Sequence, residues 1–242
     1  ATLKSYFDSV TTTLTNKTLS SPLFTGTIDG WIDAGETWTY ASATTFTISG
    51  DKRGKYQKGD KIKLTQTSVK YFYVTNVSYS SPNTTITVTG GSDYSLADAT
   101  ITSPYFSKIE NPQDFPVNGF AYVPTISTTA NAGTFSNVKF RLQGDTVFYK
   151  GRINYANALA SGNLTITIPM AMVGLGASIP IGMAHYFNVT IADVRCFVNT
   201  ASSTTISFHY MDGNSIGTGT YVNSAEWSAN DWVDWYAMYT WM

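Results

Sequence analysis

An all-β fold is predicted for this 242-residue chain, and three observations predict it. Aromatic residues make up 14 %, with sixteen Tyr, thirteen Phe and six Trp, and such side chains favour half-buried pleated surfaces. Charged residues are only 13 %, while Ser and Thr together take about the quarter share that charge holds in an average soluble domain. Solubility therefore rests on hydroxyls and amides. Third, apolar and polar residues alternate with period two in short runs separated by turn residues, the mark of strands with one buried face.

Residues 1–25 form the one helix candidate. Leu3, Phe7, Val10 and Leu14 follow spacings of four, three and four, which places them on one helical face. Two heptads are marginal alone, and Thr11, Thr12 and Thr13 lower helix propensity, so the segment reads as a short coiled coil or as an extended attachment arm. Residues 26–108 then carry five strands, at 36–40, 44–49, 61–66, 69–79 and 84–89. Ser80-Ser81-Pro82-Asn83 and Gly90-Gly91 supply turns. In this reading Lys61 and Lys63 lie on the wet face of their strand, and the unit is a small antiparallel barrel or sandwich.

Residues 109–125 hold Pro112, Pro116 and Pro124 and little periodicity, so they read as a stiff extended connector, clamped by Phe115, Phe120 and Tyr122. Residues 126–242 return to strands, at 138–142, 146–155, 164–168, 187–198, 204–210 and 232–241. Their length and spacing predict a jelly-roll-like β-sandwich head. The last strand has large side chains on both faces, so both are expected to be covered, one by a neighbouring subunit. Trp232, Trp235, Tyr239 and Trp241 join the N-terminal stripe as candidate oligomerisation residues.

Lys and Arg number 15 against 16 Asp and Glu, a formal charge of −1, with a sequence pI near 6.1. That balance argues against a protein that neutralises many phosphates of duplex DNA. The single cysteine, Cys196, excludes an intramolecular disulfide and cysteine-rich metal sites, so stability is expected from packing or subunit association. The most apolar stretch, residues 166–183, is interrupted by Pro169 and Pro180, and no membrane insertion is expected. No signal-peptide pattern opens the chain, so it is expected to be soluble as made.

Two segments resemble tail proteins of tailed bacteriophages. Residues 11–22, TTTLTNKTLSSP, resemble the LTNKTL connector of phage tail fibres and receptor-binding proteins. Residues 30–108 resemble a small β module of phage tail proteins through GWI at 30–32, ETWTY at 36–40, YQKGDKI at 56–62 and YFYV at 71–74. Residues 144–153, GDTVFYKGRI, more loosely resemble the strand pair that opens the head of some phage fibres. The resemblance implies a virion tail protein, assembled in the host cytoplasm and trimeric. It would attach to other tail proteins through its N-terminus and meet a host glycan or protein through its head. A structural adaptor of tail, baseplate or capsid surface is the alternative, and a secreted carbohydrate-binding module a third.

No enzyme is expected. The chain has no Gly-x-Ser-x-Gly elbow, His-Glu-x-x-His pair or phosphate loop. Asp231 and Asp234 fall on opposite strand faces and cannot pair as glycosidase carboxylates. Lys52, Arg53, Lys55, Lys58, Lys61, Lys63 and Lys70 form a basic stretch beside Tyr56, Tyr71, Phe72 and Tyr73. It could carry a polyanion or an acidic partner face, or be a solvated strand face; a nucleic-acid partner is not expected. Asp212-Gly-Asn-Ser-Ile-Gly lacks the acidic spacing of an EF-hand, and neither metal nor cofactor is predicted. Candidate receptor contacts are the aromatic and polar residues of the head: Tyr186, His209, Tyr210, Asp212, Asn214, Trp227 and Asp231, types that stack on sugars and bond their hydroxyls.

Overall fold

The computed structural model describes residues 29–126, 133–154, 164–174, 179–187, 194–210, 220–221 and 231–242. Among these every regular element is a strand, so the all-β prediction holds. The N-terminal stripe of Leu3, Phe7, Val10 and Leu14 lies outside the described residues.

The first sheet has seven antiparallel strands: β1 (Ile32–Asp33), β2 (Thr39–Ser42), β3 (Thr45–Ser49), β4 (Lys61–Gln66), β5 (Ser68–Ser80), β6 (Asn83–Thr89) and β7 (Thr102–Ser107). Their order across the sheet is β1-β7-β4-β5-β6-β3-β2. Alternation selects the core: Phe46 and Ile48, Ile62 and Leu64, Phe72 and Val74, and Ile86 and Val88 all point inward with Trp38 and Tyr56. β7 has no clean alternating signal because Pro104 sits within it. The ladder with β4 shifts register there, and the Pro104 carbonyl accepts the Ala34 amide at 2.9 Å instead.

The second sheet has nine strands: β8 (Phe120–Ala121), β9 (Thr134–Gln143), β10 (Thr146–Asn154), β11 (Thr165–Thr167), β12 (Pro180–Phe187), β13 (Val194–Ser202), β14 (Thr205–Tyr210), β15 (Thr220–Tyr221) and β16 (Trp232–Thr240). Eight form the path β11-β14-β13-β12-β16-β10-β9-β8, with β15 beside β14. The head is thus one continuous sheet curled over its own core. Its two edges approach each other: Ile126, beyond β8, bridges to Ile166 of β11, and the Thr167 amide donates to the Thr125 carbonyl at 3.0 Å. Edge strands brought together this way leave few open backbone groups at the seam.

The strand expected at 187–198 is divided between β12 and β13. β12 begins with Pro180 and contains Gly182, both poor strand signals. Pro180 is tolerated as the first strand residue. Gly182 is needed at a register shift because a Cβ there would collide with the Tyr236 carbonyl of β16.

The connector joins the two cores rather than separating them. Phe115 packs edge-on to Tyr73 with ring centroids 5.0 Å apart, Phe120 packs on Tyr73 at 5.3 Å, and Phe115 and Phe120 meet at 5.6 Å. Trp31 adds an indole hydrogen bond to the Gln113 carbonyl at 2.8 Å. Tyr122 clamps the other end, donating to the Ile168 carbonyl at 3.0 Å. β5 is consequently buried on both sides, with Phe72 and Val74 in one core and Tyr73 in the other. Burial pushes the Tyr73 hydroxyl up to about 12, against a smaller opposing hydrogen bond to the Leu142 backbone.

β16 does not share that arrangement: the chain's own core covers only one of its faces. Val233, Trp235, Ala237, Tyr239 and Trp241 fill the core, while Tyr236 and Met238 are 43 % and 48 % exposed on the other face. Among the described residues no strand packs over them, because the sheet curls away from that side. Trp235, Tyr239 and Trp241 are therefore core residues of the chain, and of the four predicted on this strand only Trp232 lies outward.

Candidate binding face

The convex face of β12, β16, β10 and β9 collects the side chains that the curled core leaves out. Register sets its rows. Phe148 pairs with Met238 and Arg141, Lys150 with Tyr236 and Lys139, and Arg152 with Asp234. On the far side of β16, Met183 pairs with Tyr236 and His185 with Asp234. Since alternate residues share a face, the two-residue turn at Gly144-Asp145 brings two Lys-x-Arg alternations, 139–141 and 150–152, onto one surface.

The chemistry of this face is cationic and aromatic together. Arg152 forms a two-pronged pair with Asp234, Nε to Oδ1 and Nη2 to Oδ2 both at 2.6 Å. Its guanidinium lies 4.1 Å from the Trp232 ring centroid, and His185 packs on the same indole at 5.2 Å. The hydrogen bonds that Arg152 donates to Asp234 raise the Arg152 pKa above its ordinary value, so this cation stays charged at any working pH. Arg141 stands over Phe148 at 4.5 Å, and Phe148 approaches Tyr236 at 6.4 Å. A groove of about 250 Å³ lies between them, bounded by Asn118, Lys139, Arg141, Phe148, Lys150 and Tyr236.

Asn118 reaches the groove through the connector. Gly119, at φ 74°, has no room for a Cβ against the Phe140 carbonyl, so the chain lies directly on β9 there. This holds the preceding residue at the rim.

The sequence-predicted sites fare differently. Asp231 is 0 % exposed and cannot serve as a surface receptor contact; it stands at the start of β16 on the core side. Tyr186 lies in β12, and His209 and Tyr210 lie in β14. Asp212, Asn214 and Trp227 fall outside the described residues.

Most of the basic stretch at 52–70 is spent internally. Lys52 and Lys55 both pair with Glu36, at 2.8 and 3.3 Å, and Arg53 pairs with Asp51 at 2.7 Å. Lys61, expected on a wet face, is 5 % exposed and reaches Glu110 at 3.4 Å, because the connector closes over that edge of β4. Lys63 stands over Trp31 at 5.1 Å and Lys70 donates to the Ser95 carbonyl at 2.7 Å. Burial alone would raise the Glu36 carboxyl, but hydrogen bonds from Lys52, Tyr56 and Lys55 outweigh it and hold the group below its usual range.

Sequence reasoning missed the face on β9 and β10. Its signal was present in VKFRLQGDTVFYKGRI at 138–153, where basic residues alternate on either side of a tight turn. Among the described residues no group of three or more His, Cys, Asp or Glu is placed to hold a metal ion. No helix among them is long and apolar enough to cross a membrane.

Fold and site together define an all-β protein of two fused sheets with an outward cationic and aromatic face. No family model, curated protein or solved structure matches the chain.

Proposed function

We propose that the chain is a non-enzymatic virion protein of a tailed phage, a trimeric tail fibre or receptor-binding protein. It attaches to the tail through residues 1–25 and meets the host surface with its C-terminal unit. The observation that carries this reading is the convex face, where Tyr236, Met238 and Met183 stand 43 %, 48 % and 64 % exposed beside four Lys and Arg residues. Contiguous exposed apolar side chains of this kind mark interaction surfaces. The resemblance of residues 11–22 and 30–108 to phage tail segments supplies the setting.

Binding of the intact protein to cell envelopes from a panel of bacteria tests the reading. The wild type should retain on its host envelope and sediment as a trimer. Tyr236→Ser with Met238→Ser should fold and lose retention. A stable monomer that retains on no envelope would overturn the reading.

The exposed methionines also suit a second reading, an adaptor subunit whose convex face is covered by another virion protein. An electron-microscopy map of the particle separates the two: a free distal face supports receptor contact, an enclosed one the adaptor.

A further inference from the structure

We propose that the groove between Asn118, Lys139 and Lys150 is an anion site for an acidic polysaccharide, taking one phosphate or carboxylate group and the sugar that carries it. The inference rests on the reading above that the C-terminal unit meets a host surface, and it names the ligand of that contact.

Residues 126–242 contain five Lys and Arg residues, and four of them, Lys139, Arg141, Lys150 and Arg152, stand on the single hairpin β9–β10. Such concentration is not needed for the fold, since the core of this unit lies on the opposite face. Lys139 and Lys150 occupy the same register position. Like charges directly opposite on one sheet face repel and lower stability. Asp234 is committed to Arg152, and among the described residues no carboxylate pairs with Lys139, Lys150 or Arg141. An anion seated between the two ammonium groups would remove the repulsion and gain a charge-assisted hydrogen bond from each.

The surroundings extend the preference from a bare ion to a sugar-borne one. Asn118 borders the groove beside both lysines and offers an amide to a hydroxyl. Phe148 and Tyr236 flank the same space, and aromatic faces stack on the C–H faces of sugar rings. At about 250 Å³ the groove lies near the lower limit of the roughly 300–1,000 Å³ of small-molecule pockets, which suits one saccharide unit of a chain running over the surface. A single-stranded nucleic acid would call for a continuous basic track with successive stacking platforms. Here the cations form one compact cluster.

Titration of the full chain by calorimetry tests the proposal, with poly(glycerol phosphate), polygalacturonate, neutral dextran and an oligothymidylate as probes. One or both acidic polymers should bind, more weakly as salt is raised, and dextran should not; whichever acidic polymer is preferred identifies phosphate or carboxylate as the group recognised. Lys139→Gln with Lys150→Gln should reduce that affinity at least tenfold while melting at or above the wild-type temperature. Lys58→Gln, in the other basic stretch, should leave the affinity unchanged. Equal affinity in the Lys139 and Lys150 variant, no binding of either acidic polymer, or tighter binding of the oligothymidylate would each overturn the site. Envelope retention that is insensitive to this variant would remove the anion site and leave the receptor role standing. Polymer binding without retention on any envelope would do the reverse.

Discussion

Arg152 and Asp234 face each other across β10 and β16 with both nitrogen–oxygen distances at 2.6 Å, and the same guanidinium lies over Trp232. One planar cation thus fixes an acid and an indole at once. The pair is about two-fifths exposed on each side, so solvent screening limits its contribution to about 0–1 kcal/mol. Arg152→Lys keeps the charge and loses the fork and the stacked plane. We expect a urea midpoint close to wild type and altered tryptophan emission from the changed contact at Trp232; an unchanged spectrum would show that the stacking does not persist in solution.

Gly151 behaves differently although it is the next residue. A Cβ at this position would lie 2.7 Å from Trp235 Cζ2 and from Val138 Cγ2, both on the core side. Gly151→Ala should overpack the core and cost about 1–3 kcal/mol. Chemical denaturation should show a lower midpoint with an unchanged slope, and a neutral result would mean that Trp235 has space to shift.

The two sheets should unfold as one. Phe120 is fully buried and touches Tyr73 of the first sheet and Phe140 of the second, at 5.3 and 6.1 Å. Phe120→Ala should cost about 3–5 kcal/mol, as large-to-small changes of buried Phe do. Calorimetry should find a single transition in the wild type and two in the variant. Two transitions in the wild type would refute the coupling.

Acid should weaken the first sheet through Glu36. Its native pKa is held below the ordinary 4.5 by Lys52, Tyr56 and Lys55 despite burial. A depressed native value means that the unfolded chain takes up the proton first as pH falls. The contribution is therefore present above about pH 4.5 and lost as pH drops through the native value. Glu36→Gln should be less stable than wild type at neutral pH and converge with it in acid, as read from urea midpoints at several pH values. Parallel curves would show that Glu36 gains nothing from its partners.

Much of this architecture was legible along the chain. The alternation in 61–66 and 84–89 gives strands whose bounds the structure reproduces closely, because local pattern and burial agree there. β7 and β12 were not legible, since Pro104 and Gly182 are accommodated by register shifts that depend on neighbouring strands. Large residues on both strand faces are covered on both sides within the chain at Tyr71, Phe72 and Tyr73 of β5, and on one side only at β16. The difference is whether another core lies across the sheet, which pattern cannot reveal.

The sequence by itself determined that the chain is all-β, that its strands fall on either side of a proline-rich segment, and that no disulfide within the chain contributes. Those follow from period, composition and a single cysteine. Only the tertiary structure decided which charges find partners and which gather on one face. In the basic stretch that is dense in sequence, Lys52, Arg53, Lys55 and Lys61 are paired by Glu36, Asp51 and Glu110, two of these carboxylates being brought close by folding. Four cations that look ordinary in sequence converge because a two-residue turn sets the register of β9 against β10. Charge density along a chain is a local quantity, whereas charge density on a face depends on strand register and on which partners the fold delivers.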